Sequence, residues 1–210
     1  MAESALNLRE RRRQKTLRRL TDVARRLTGD RGFTGFTVEE LCEEAGVSRR
    51  TFFNYFAAKE DAVLGFPVRR DDDAIDAAFV TGGADRPPGG VSTTLLDDML
   101  AFFIARWGRL SLTASEAKRV FAIIDQEPRL HTRILQLLRE GEQTTIALVE
   151  RREDLAPGDI RASTLVHVVG TLNRIVAEEY LATHGDAPPS LDDFADRLRE
   201  RAAIVRALFA

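Results

Sequence analysis

TVEELCEEAGVSRRTFFNYFAAK, residues 37–59, decides how the rest of the chain is read. Thr37 followed three residues later by Glu40 is a capping box, in which each side chain satisfies a backbone N–H that the first helical turn leaves open. It predicts a short helix through Ala45, with Val38, Leu41, Cys42 and Ala45 on its inner face. Gly46 ends that helix, because a glycine takes a left-handed backbone at least steric cost. Ser48 is placed to cap the next helix, from Arg49 to about Phe56. Two helices joined this closely form a corner, which needs a small residue where they cross, a glycine in the turn and apolar anchors beyond it. Cys42, Gly46, Val47 and Phe52 meet those needs in order, and the segment reads as a helix-turn-helix.

Outward from this corner nearly every segment is helical in pattern, with apolar residues recurring at three and four and no strand-like alternation. A first helix is expected from about Leu8 to Gly29, burying Leu17, Leu20, Ala24 and Leu27. A fourth is expected to start near Lys59 and run toward Phe79, with a kink or break at Pro67. Residues 81–90, TGGADRPPGG, form a loop by composition. Further helices are expected near 93–107, 113–125, 128–152, 159–183 and 190–209, limited by Pro128, Pro157-Gly158 and Gly185-Asp186-Ala187-Pro188-Pro189. The fold class is therefore all-α, with a three-helix helix-turn-helix domain over residues 1–62 and a helical domain over 63–210.

The chain has 210 residues, 44% hydrophobic and 30% charged, a globular balance. Its longest apolar run, Met99 to Ala105, is seven residues, whereas a membrane span needs about twenty. The first thirty residues lack the apolar core of a secretory signal, so a cytoplasmic location and no membrane partner are expected. One cysteine and three scattered histidines exclude an internal disulfide and offer no zinc-ligand spacing; no metal and no cofactor are expected. The net charge of −2 hides an asymmetry: residues 1–62 hold 13 basic against 10 acidic side chains, and residues 63–210 hold 18 against 23. A basic end on an acidic body suits a chain that meets a polyanion with one end, although a solvated helix face accounts for the charge equally well.

The corner's second helix offers Arg49, Arg50, Thr51, Phe53 and Asn54 near its start, where a recognition helix meets base edges in the major groove. Arginine can grip guanine with two hydrogen bonds, asparagine can do the same to adenine, and an exposed aromatic ring can touch a thymine methyl. Tyr55 and Lys59 are suited to phosphate, and Thr37 and Ser48 stand at helix N-termini whose free N–H groups favour anions. Phe52 and Phe56, four residues apart, read as core. Cys42 reads as a packed small residue whose acidic neighbours raise its thiol pKa.

Over residues 13–64 the sequence resembles the tetracycline-repressor (TetR) family of bacterial transcription regulators. The basic first helix, Gly32-Phe33, Thr37-Val38, Ala45-Gly46-Val47-Ser48, Thr51-Phe52, Tyr55-Phe56 and Lys59-Glu60-Asp61 all fall in register. Two departures are Phe53, where the family often has tyrosine and hence a hydroxyl for phosphate, and Cys42, where it usually has alanine. Arg119-Val120 and Glu127-Pro128-Arg129-Leu130 are similar to a branch of the family associated with acyl-CoA-like ligands. The resemblance implies a homodimer that binds a double-stranded DNA operator and senses a small-molecule effector.

In the C-terminal half, helix 159–183 is apolar over more than half its circumference, and helix 190–209 carries a narrower stripe. So wide a face calls for a second burying surface. Val166, Val169, Gly170, Asn173, Ala177, Tyr180, Phe194, Leu198, Ala202 and Val205 are the expected dimer contacts, in a four-helix interface about a two-fold axis. The alternative is that both stripes close one chain's own core. Asn173, an amide amid apolar neighbours, needs a partner there or in a ligand. Phe102, Phe103, Arg106, Trp107, Phe121 and Ile124 complete the expected ligand pocket, with Arg106 placed to meet a carboxylate or phosphate. Together these readings predict a dimeric, ligand-responsive repressor. A helical carrier or interaction protein with only nonspecific DNA affinity is the alternative, and it does not require the register from Thr37 to Lys59. No catalytic motif supports an enzyme.

Overall fold

The computed structural model describes residues 2–68, 73–83, 85–109, 113–183 and 190–208. The break at 185–189, Phe209 and the side chains of Arg9 and of Asp71-Asp72-Asp73 lie outside the described residues. Among those described there is no strand, and the fold is all-α. The helices are α1 (Ala2–Arg31), α2 (Val38–Ala45), α3 (Arg49–Tyr55), α4 (Lys59–Leu64), α5 (Asp73–Val80), α6 (Leu95–Trp107), α7 (Ala114–Gln126), α8 (Pro128–Glu153), α9 (Ile160–Thr183) and α10 (Leu191–Leu208). A 3-10 turn, Phe33–Gly35, separates α1 from α2. No described helix is long and apolar enough to cross a membrane.

Two compact units divide the chain: residues 1–70 with 119–136, and residues 71–118 with 137–210. In the first unit Leu20, Ala24 and Leu27 of α1 are fully buried, together with Leu41, Ala45, Phe52, Phe56, Ala62 and Val63. α1 crosses both α2 and α4. The fourth helix breaks near Pro67, as expected, but the stop comes two residues earlier: α4 ends at Gly65, whose φ of 81° is left-handed. Arg25 of α1 satisfies the carbonyls this end leaves open, donating from Nε to Val63 O at 2.9 Å and from Nη2 to Leu64 O at 3.3 Å. Asp61, 2% exposed, receives a bidentate pair from Arg133, at 2.6 and 3.1 Å. A buried carboxylate is tolerated only when so paired.

The second unit is built around Met99, Phe102, Val149, Val166, Val169, Val176, Tyr180, Phe194 and Leu198. A polar knot is buried beside this core. Glu153 accepts from the Ser92 N–H and hydroxyl, both at 2.7 Å, and from Arg152 Nε at 2.9 Å. Arg152 in turn donates to Phe79 O at 2.7 Å and to Asp98. The knot ties down the glycine-rich loop, and it explains Gly82, where a Cβ would lie 2.4 Å from Arg152 Nη1.

The apolar stripes of α9 and α10, expected to supply dimer contacts, are mostly covered within one chain. Val166, Val169, Tyr180, Phe194, Leu198 and Ala202 are at most 4% exposed within one chain. Gly170, Asn173, Ala177 and Val205 are half-buried. Trp107 stacks on Phe194 with centroids 4.2 Å apart and planes 6° from parallel, while Tyr180 meets both edge-on. α6 and α10 together therefore take up the wide apolar arc of α9. What the two helices leave exposed are Ile160, Val168, Leu191, Ile204 and Leu208.

Candidate nucleic-acid interface

Each end of the helix-turn-helix is fixed by the residues that the spacing singles out. Thr37 Oγ1 accepts the Glu40 N–H at 3.2 Å, and the Glu40 carboxylate accepts the Thr37 N–H at 2.7 Å. That hydrogen bonding holds the Glu40 carboxyl below its ordinary range, with Arg31 and Lys59 adding in the same direction. Gly46 closes α2 with φ 65° and ψ 38°, and its N–H returns to Cys42 O and Glu43 O. Ser48 Oγ accepts the Thr51 N–H at 3.0 Å and lies 2.8 Å from Thr51 Oγ1, so both hydroxyls are committed to capping α3. Phe52, fully buried, anchors α3 against the corner and tilts against Phe56 with centroids 5.8 Å apart. Cys42 is packed as expected. Burial raises its thiol pKa first and Glu39 second, while Arg49 opposes them.

With its inner face locked, α3 presents the rest to solvent. Arg50, Phe53 and Asn54 are exposed, and among the described residues neither Arg50 nor Asn54 has an intrachain hydrogen-bond or ion-pair partner. Phe53 stands 44% exposed, its ring edge-on to Phe52. Arg49 lies over the Phe53 ring at 5.5 Å and pairs with Glu39 at 3.1 Å, which orients it alongside α2. Tyr55 is half-buried at the end of α3. Lys59 departs from its expected place among solvent-facing phosphate contacts: its ammonium donates to Phe33 O and Phe36 O, each at 2.6 Å.

The first unit's surface is thus a rigid corner with free hydrogen-bonding groups on one short helix. The sequence profile of the family described as "Bacterial regulatory proteins, tetR family" matches residues 20–64, the segment that builds it. Over that segment the chain is similar to the TetR family. Among its relatives is the HTH-type transcriptional regulator TcmR of Streptomyces glaucescens, 28% identical over 180 residues, or 82% of this chain and 76% of TcmR. The Mycobacterium tuberculosis protein MftR, named as a transcriptional regulator, is 43% identical over 49 residues, 23% of this chain and 25% of that protein. The chain is accordingly a DNA-binding transcription regulator of the helix-turn-helix kind, and these relatives are regulators, a class distinct from enzymes.

The expected ligand-pocket residues are divided between the two units. In the second unit Phe102 is 3% exposed and packs on Phe79, while Phe103 and Trp107 are half-buried against the same core. Arg106 does not offer its guanidinium to an outside anion: it pairs with Asp76 at 2.9 Å and lies 4.3 Å from the Phe102 centroid. Trp107 Nε1 and Asn173 Oδ1 are buried without a hydrogen-bond partner. In the first unit Ile124 is buried at 5% and Phe121 is 51% exposed, so Phe121 lines no enclosed space in this chain. Sequence reasoning missed the Asp61–Arg133 pair and the use of Glu127, whose Oε1 accepts the Phe33 N–H at 3.0 Å. Both link residues roughly seventy to ninety positions apart, and no local periodicity signals such a pairing.

Proposed function

We propose that this chain is a ligand-responsive repressor that binds a palindromic operator as a homodimer. The observation that carries the reading is the pairing of a fully capped α3 with the unengaged Arg50 and Asn54 on its exposed face. Arg50 is assigned to guanine, Asn54 to adenine and Phe53 to a thymine methyl. Arg49, Thr51 and Tyr55 are assigned to the flanking backbone, and the N-terminal ends of α2 and α3, at Thr37 and Ser48, to phosphate. A palindrome follows from two-fold symmetry, since two copies of α3 must enter successive major grooves. Support for self-association comes from the exposed Val168 of α9 and Ile204 and Leu208 of α10, apolar groups that the chain's own core leaves uncovered. Such a protein works in the cytoplasm.

The effector site is assigned to the second unit. A cavity of about 390 Å³ there is lined by Ile75, Phe79, Ala101, Phe102 and Arg152 among others. The Arg152 guanidinium and the Asp98 carboxylate among the lining residues favour a ligand with polar groups, and an acyl-CoA-like compound is the first class to screen. A ligand that prefers a dimer of different α3 spacing weakens operator binding by its differential affinity, and a coupling of about 1–3 kcal/mol suffices.

The test is selection of operators from random double-stranded DNA by the purified full chain, followed by binding measurements at two salt concentrations. Enrichment of an inverted repeat, bound well above scrambled DNA, is expected. Sequence-indifferent binding abolished by modest salt would contradict the reading and favour a carrier with a basic end.

A further inference from the structure

Lys59 sits at the first residue of α4 and reaches back to the turn between α1 and α2. Besides its two carbonyl bonds, its ammonium lies 4.4 Å from the Phe33 ring centroid and 4.1 Å from that of Phe36. Both rings are themselves buried, at 2% and 3% exposure, and meet edge-to-face. Two backbone acceptors and two aromatic faces therefore surround one compact cation, the environment that suits an ammonium better than a larger guanidinium. Burial pushes the Lys59 pKa below its ordinary value, against the pull of Glu60, Glu127 and Glu40, as expected of a cation drawn out of water.

The turn that Lys59 grips leads straight into the recognition corner. Phe36 precedes Thr37, the N-cap of α2, and α2 in turn packs on α3. The same turn is held from another side by Glu127, which accepts the Phe33 N–H. We infer that Lys59 is a positioning residue for DNA binding: it sets the turn 33–36, and through it the N-terminus of α2, without itself contacting phosphate. The inference rests on the DNA-binding reading above.

Salt dependence separates the two roles, because each lysine–phosphate contact contributes about 0.9 to the slope of log K against log salt, while a positioning residue contributes none. With the full chain and a duplex enriched from random DNA by the wild-type protein, Lys59→Met is expected to raise Kd about tenfold at every salt concentration with the slope unchanged. A slope shallower by about one, or an unchanged Kd, overturns the inference. Glu127→Ala provides a second arm should Lys59→Met not fold. Loosening the turn predicts weaker binding, whereas removing an acidic group from a purely electrostatic surface predicts tighter binding, and tighter or unchanged binding overturns the inference. A third arm uses no DNA. Amide hydrogen exchange over residues 37–41 is expected to quicken in Lys59→Met or in Glu127→Ala, and unaltered exchange contradicts the positioning role even if the wild-type chain proves to have no preferred duplex.

Discussion

Residues 37–59 and the helix pair α9–α10 are both marked by strong sequence patterns, yet only the first pattern dictates what its residues touch. In the helix-turn-helix the information is local: a cap, a glycine and an anchor act within four residues of themselves, and Thr37, Gly46, Ser48 and Phe52 take the places their spacing requires. In α9 and α10 the pattern says only that a wide face must be buried. Part of what buries it is α6, whose Met99, Phe102 and Trp107, more than seventy positions earlier in the chain, cluster with Tyr180, Phe194 and their neighbours. Periodicity measures the demand for burial and is silent about its supplier.

The largest expected effects test whether the two regions really are cores of the same kind. Phe52→Ala and Phe194→Ala each remove a fully buried ring and should each cost about 3–5 kcal/mol of stability in chemical denaturation. For Phe194→Ala the loss should be the same at low and high protein concentration. A loss that shrinks on dilution would return Phe194 to an interface between chains. Gly46→Ala should cost about 1–2 kcal/mol, because an L residue at φ 65° is strained while the nearest atom to its Cβ, Arg19 Nη2 at 3.2 Å, can swing aside.

A smaller effect on stability but a larger one on assembly is expected at the exposed remainder of the stripe. Ile204→Glu should change the monomer's stability by less than about 0.5 kcal/mol and yet shift sedimentation toward the monomer. Retention of the wild-type assembly state would mean that self-association uses another face. The smallest effect belongs to the α2 cap. Because the folded-state pKa of Glu40 is depressed, its contribution is complete above the ordinary carboxylate value of 4.5 and is lost as pH falls through the depressed one. Amide exchange in the first turn of α2 should quicken over that acidic interval, and in Glu40→Gln the dependence should vanish.

Much of the helical fold is written in local signals. The capping box at Thr37 has a twin at Thr113 and Glu116, with the same three hydrogen bonds at 2.7, 3.0 and 3.2 Å, so the start of α7 is legible by the same rule. The stop at Gly65 could have been read from the glycine itself; placing it at Pro67 is two residues late, because proline is the stronger breaker on average. Side-chain destinations were harder. Arg106 and Lys59 look like free cations in sequence, but Asp76 lies thirty residues from the first and the Phe33 and Phe36 carbonyls more than twenty from the second. Residues 119–136 likewise lie within the C-terminal run of helices in sequence while packing with the N-terminal unit, through contacts such as Arg133 to Asp61.

The measurement closest to the centre of the account is binding of Arg50→Ala and Asn54→Ala to the selected duplex and to versions of it carrying single base-pair changes. Each variant should lose about 1–3 kcal/mol on the parent duplex and cease to discriminate at one position of each half-site, with guanine assigned to Arg50 and adenine to Asn54. Parental affinity and discrimination in both variants would contradict the assignment of α3 as the element that reads sequence.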